Sequence, residues 1–104
     1  MSDDLYDAIM NVWEMYFHLG EERDLPMMLG ELLYGLDYHE EAIDMFQHSL
    51  KLYGDQATTF CQLAKCHYDL FQLDTAFTFI QQSLAIDPNF EPAHDLKAKI
   101  ERDV

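Results

Sequence analysis

The feature that most constrains this chain is a period of 34 residues running from about residue 23 to residue 90. Superposing residues 29–56 on 63–90 gives identities at Leu29/Leu63, Tyr34/Tyr68, Leu36/Leu70, Ala42/Ala76, Gln47/Gln81, Ser49/Ser83 and Leu50/Leu84, seven of 28 positions. Ordinary composition would give about two by chance. Gly30/Ala64, Ile43/Phe77, Phe46/Ile80 and Leu52/Ile86 keep their character without keeping the letter. The period therefore records packing positions and not a copied low-complexity word. A supersecondary unit that recurs at this length cannot bury its apolar face alone, so it stacks on its neighbours into a solenoid that presents extended surfaces for binding.

The local signals are helical. Ala42, Ile43, Phe46, Ser49 and Leu50 recur at spacings of three and four, as do Ala76, Phe77, Ile80, Ser83 and Leu84, which is the pattern of a helix with one packed face. Asp24 can cap a helix carrying Pro26 in its first turn, where the missing N–H costs nothing. Asp37 and Glu40 have the spacing of a capping box with Asp as the cap, and Asp55 can open the next helix. Gly54 and Pro88 close helices. Two helical pairs, over about 23–54 and 57–88, are expected from these boundaries.

The residues at fixed places in the period resemble the tetratricopeptide family, whose 34-residue helix–turn–helix unit carries W-x2-L-G-x2-Y, then A-x3-F, then P. The first unit reads Pro26, Leu29, Gly30, Leu33, Ala42, Phe46 and Gly54 at those places, and the second reads Phe60, Leu63, Ala64, His67, Ala76, Ile80 and Pro88. Pro26 departs from the aromatic, His67 from the tyrosine and Gly54 from the proline. Small residues fall where the helices of a unit approach closely, at Gly30/Ala64 and Ala42/Ala76. The flanks extend the register: Asp7-Ala8-Ile9 precedes Glu41-Ala42-Ile43 by 34, and Asn89-Phe90-Glu91-Pro92-Ala93 resembles the start of a third unit. The resemblance implies one all-α domain over residues 1–104, a helix–turn–helix solenoid of about six helices. It comprises a leading helix over 4–20, units over 23–56 and 57–90, and a closing helix over 91–103.

Composition narrows the function. A chain of 104 residues makes one domain that buries about two-thirds of its unfolded surface. With 20 acidic residues against six Lys and Arg, the net charge is −14. That balance argues against a phosphate-tracking nucleic-acid surface and repels anionic membranes; it either steers basic partners inward or serves solubility alone. No apolar run approaches the roughly 18 residues of a membrane span, and the Met1-Ser2-Asp3-Asp4 start is not that of a secretion signal, so a cytoplasmic protein is expected. Cys61 and Cys66 lie five apart on one expected helix and so point about 140° from each other; they are expected to be core or groove thiols.

No catalytic constellation is present. The five histidines form no H-E-x-x-H or i, i+4 pair, no C-x2-C occurs, and no glycine-rich phosphate loop is found. Neither an enzyme nor a metal or cofactor site is expected. The family resemblance instead implies a groove lined by the first helix of each unit: Asp24, Met27, Glu31 and Tyr34, then Thr58, Cys61, Lys65 and Tyr68, with Asp95 and Lys99 from the closing helix. Tyrosine offers rigid amphipathic contact area and Met27 an adaptable apolar one. Tyr34 and Tyr68 can alternatively fill gaps between stacked units. Family members that clamp acidic chaperone tails hold the terminal carboxylate with Lys, Arg and Asn residues, including at the places where this chain has Met27 and Glu31, which disfavours that ligand. The expected function is protein–protein interaction, through a basic or neutral segment with apolar anchors laid in the groove. A small acidic secretion-type chaperone is one alternative. Another is a self-assembling structural protein that dimerises through Ile9, Met10, Val12, Trp13, Met15, Tyr16 and Phe17.

Overall fold

The computed structural model describes residues 25–103 together with Asp7. Residues 25–103 form five helices: α1 (Leu25–Gly35), α2 (His39–Tyr53), α3 (Ala57–Asp69), α4 (Leu73–Ile86) and α5 (Glu91–Asp103). No strand occurs among the described residues. The expected count of about six included the leading helix over 4–20, which apart from Asp7 lies outside the described residues, as does the expected dimer contact through it.

Two core clusters follow the period. Met27, Leu33, Ala42, Phe46, Phe60, Leu63 and Cys66 join α1, α2 and α3. Cys61, Ala64, Ala76, Ile80, Ala93, Leu96 and Ile100 join α3, α4 and α5. Helix α3 thus faces both ways, and its two free cysteines serve different clusters, as their divergence around the helix requires. Phe79 packs against both clusters, stacking near Phe60 (6.1 Å) and His67 (5.4 Å).

Within a unit the helices meet at the small residues. Ala42 and Ala76 are fully buried. A Cβ built on Gly30 would stand 2.5 Å from a ring carbon of Phe46, so only glycine lets α1 and α2 close over that ring. Between units, α2 packs on α3 and α4 on α5. The first helices also touch, α1 with α3 and α3 with α5, whereas α2 and α4 do not. Ser83, fully buried, donates to the Ala57 carbonyl at 2.8 Å and ties α4 to the start of α3.

The turns depart from the expected capping. Asp37 does not cap α2, and Tyr38 stands in the N-cap place without a side-chain cap. Asp37 has φ 67° and ends α1 instead: its N–H reaches the Tyr34 carbonyl (3.0 Å) and that of Tyr38 reaches Leu33 (2.9 Å), the paired bonds of a Schellman motif. The same motif ends α3, with Phe71 N–H to Tyr68 (3.0 Å) and Gln72 N–H to His67 (2.9 Å). Its left-handed residue is Phe71, φ 62°. Asp tolerates that conformation because its short polar side chain bonds locally; a bulky side chain meets a cost of about 1 kcal/mol or more. The apolar contact that usually accompanies the motif is replaced in the second turn by a polar one, His67 Nδ1 lying 2.6 Å from Gln72 Oε1. Asp55 likewise does not open α3, which begins at Ala57 after Gln56. Gly54, φ 85°, ends α2 as expected, its N–H bonded to the Leu50 carbonyl.

Candidate functional site

The first helices α1, α3 and α5 lie side by side, and the expected groove residues are distributed along them. Asp24 lies outside the described residues. Glu31, Thr58, Asp95 and Lys99 are exposed, and Tyr34, Lys65 and Tyr68 are half-buried. Met27 and Cys61 are interior residues, 8 % and 2 % exposed, which corrects the expectation that Met27 offers adaptable surface. The reason is their position in the unit: it meets the next layer, where Thr59 Oγ1 lies 3.8 Å from Met27 Sδ. Burial pushes the Cys61 thiol up and the Cys66 thiol up to about 12, so neither is a ready nucleophile at neutral pH.

The tyrosines organise the face. Tyr34 Oη donates to Asp69 Oδ2 at 2.5 Å, across 35 residues, from the end of α1 to the end of α3. Tyr68 Oη donates to Asp103 Oδ2 across the same 35 residues, from α3 to α5. His39 Nε2 lies 3.3 Å from the same Asp69 oxygen. The imidazole meets the Tyr34 ring edge-on at 5.3 Å, and Lys65 Nζ sits 5.0 Å from that ring's centre. Partial burial first, and then the Asp69 carboxylate, push the Tyr34 hydroxyl up. For Tyr68 the hydrogen bond to Asp103 is the main cause of a rise, which Arg102 opposes. Both hydroxyls are therefore donors held on carboxylates, and the rings span the gap between successive first helices.

Lys65 lies against the Tyr34 ring, and Tyr68 stands about one turn further along α3. Asp69, Asp103 and His39 were missed. A signal for two of them existed, since Asp69 and Asp103 are themselves 34 residues apart, with Asp103 beyond the end of the aligned window.

The tetratricopeptide repeat profile matches residues 27–56 and 57–90, well over half of the chain. The chain belongs to the tetratricopeptide repeat family. Comparison with curated proteins gives no match. Tetratricopeptide repeats are protein-interaction modules, and the present one carries its two consecutive copies on α1–α2 and α3–α4. No group of three or more His, Cys, Asp or Glu that could hold a metal occurs among the described residues. No helix among them is long and apolar enough to cross a membrane.

Proposed function

We propose that this tetratricopeptide repeat protein binds an extended or helical segment of a partner protein along the face formed by α1, α3 and α5. The carrying observation is that successive first helices touch while α2 and α4 do not. Elements packed closer on one side than the other bend a stack toward that side, so the first helices form the inner curve. Glu31, Thr58, Asp95 and Lys99 supply its exposed polar positions, Lys65 a half-buried cation, and the half-buried rings of Tyr34 and Tyr68 its amphipathic positions. With a net charge of −14, a basic or neutral segment with apolar anchors is the favoured ligand, drawn in by steering and held by the rings.

The test begins with cross-linking and affinity capture of a partner, followed by titration of the segment that cross-links. The double substitution Tyr34→Ala, Tyr68→Ala is expected to weaken binding at least tenfold with helix content preserved. Because those rings also join the units, the exposed substitution Glu31→Lys serves as a second probe. It should weaken a basic segment several-fold without touching the fold. Retained affinity in both variants would move the site off this face.

A further inference from the structure

The turn between α3 and α4 carries a feature that the fold does not explain. Phe71 holds a left-handed backbone conformation, φ 62°, unfavourable for a bulky residue, and the residue is 90 % exposed. At the equivalent place in the first unit stands Asp37, φ 67°, a residue suited to that conformation. The ring of Phe71 therefore adds backbone cost to the turn and recovers almost no burial within the chain.

Its surroundings give it a use. Phe71 borders a shallow hollow with Tyr68, Asp69, Leu73 and Asp103. Leu73 is shared with a neighbouring open cleft of about 480 Å³, floored by Phe77 and Ile100 and flanked by Asp74 and Glu101. The two hollows adjoin at Leu73 and form a furrow on α3, α4 and α5 lined by the apolar Phe71, Leu73, Phe77 and Ile100 and by the carboxylates of Asp69, Asp74, Glu101 and Asp103. Of Asp69 and Asp103, each already orients one oxygen toward a tyrosine hydroxyl. This edge shares Tyr68 with the inner face, and its remaining lining comes from the α3–α4 turn, α4 and α5 and not from Glu31, Thr58 or Lys65.

We infer that this furrow is a second docking site, with Phe71 as its projecting anchor, for an amphipathic segment of a partner protein whose apolar side chains enter between Leu73, Phe77 and Ile100 and whose Lys or Arg residues meet the carboxylate rim. Charge selects this occupant. A second copy of the chain would bring the same acidic rim against itself, and like charges facing across an interface are strongly disfavoured. An acidic or uncharged apolar segment would leave the rim unpaired.

The probe is a blocked helical peptide with Leu on one face and Lys on the other, titrated against the full chain by amide NMR, beside the same peptide with Glu in place of Lys. The Lys peptide is expected to shift the resonances of Phe71, Leu73, Phe77 and Ile100, with affinity falling as salt rises. Phe71→Asn keeps a residue at home in the left-handed region, so the melting temperature should not fall while affinity drops at least tenfold. Glu101→Lys should weaken binding several-fold and reduce its salt dependence. The inference is overturned by absence of binding at millimolar peptide, by equal binding of the Glu peptide, or by unchanged affinity in Phe71→Asn. Shifts confined to Glu31, Thr58 and Lys65 would assign the peptide to the inner face and overturn it too. Concentration-dependent sedimentation of the protein alone, abolished in Phe71→Asn, would give the furrow to a second copy and likewise overturn it.

Discussion

Replacing Gly30 with alanine should reveal how far the two units are the same packing problem solved with different residues. The new methyl carbon would lie 2.5, 2.7 and 2.8 Å from three ring carbons of Phe46, where carbon contacts settle at about 3.5–4.0 Å. The ring must therefore give by about 1 Å. It cannot do so freely, because Phe46 is fully buried in the cluster of Leu33, Ala42, Phe60 and Leu63. Overpacking of this kind costs about 1–3 kcal/mol, offset by the roughly 1 kcal/mol that alanine gains over glycine within a helix. A net loss of up to about 2 kcal/mol is expected. The second unit supplies the control, since 34 residues on the pair is Ala64 with Ile80, a larger small residue against a smaller large one. Phe46→Ile alone should be destabilising, by a fraction of the roughly 3–5 kcal/mol of full truncation to alanine. In that background Gly30→Ala should become stabilising. Urea unfolding followed by circular dichroism, run as a double-mutant cycle, should show a coupling of at least about 1 kcal/mol in favour of the double variant. If Gly30→Ala had the same effect in both backgrounds, the contact would not govern the approach of α1 and α2, and the volume exchange between units would be refuted.

Ala76 is fully buried between the helices of the second unit, so Ala76→Leu should cost about 1–3 kcal/mol and lower the melting temperature by several degrees; an unchanged melting curve would place it at the surface. Alkaline pH should weaken the fold through its thiols: burial pushes Cys66 up to about 12 and raises Cys61, whereas an unfolded thiol ionises near about 8.5. The contribution of these protonated groups is full below the unfolded value and is lost as pH climbs toward 12, by at most about 1.4 kcal/mol per pH unit for Cys66. Urea midpoints should fall between pH 8 and pH 10, and fall less in Cys66→Ala; equal slopes in the two proteins would exclude the thiol as the cause.

The parts of the structure that could be read from the sequence are those set by repetition and side-chain size. The period, the packed faces of α2 and α4, the close approaches at Gly30 and Ala42 and the glycine end of α2 each leave a residue-level trace, because volume and φ restrict what can stand there. The turn after α1 was misread for a physical reason. Aspartate suits both an N-cap and a left-handed helix end, and Asp37 takes the second role because the Schellman bonds of Tyr38 and Asp37 satisfy the carbonyls of Leu33 and Tyr34. Phe71 could not have been read as left-handed from its own chemistry. Its backbone is set by the frame it shares with Asp37, a tertiary effect that overrides local preference. Met27 and Cys61 looked like groove residues because a helix position fixes a direction, but what lies in that direction depends on how closely the next layer stacks. The bridges from Tyr34 and Tyr68 were half legible: the tyrosines repeat visibly, while their acceptors lie a full unit further along.

The paired bridges also bear on how the chain could change length. Tyr34 meets Asp69 across the joint between the first and second units, and Tyr68 meets Asp103 across the joint between the second unit and α5. Each joint offers the same donor to the same acceptor at the same spacing, so a further copy of residues 57–90 spliced in before residue 91 would find a matching socket at both ends. Duplication or loss of whole 34-residue blocks is thus a change the interfaces already accommodate, whereas an insertion within α3 or α5 that shifts the helix register would carry a tyrosine away from its carboxylate. Growth of such a protein is quantised by its joints.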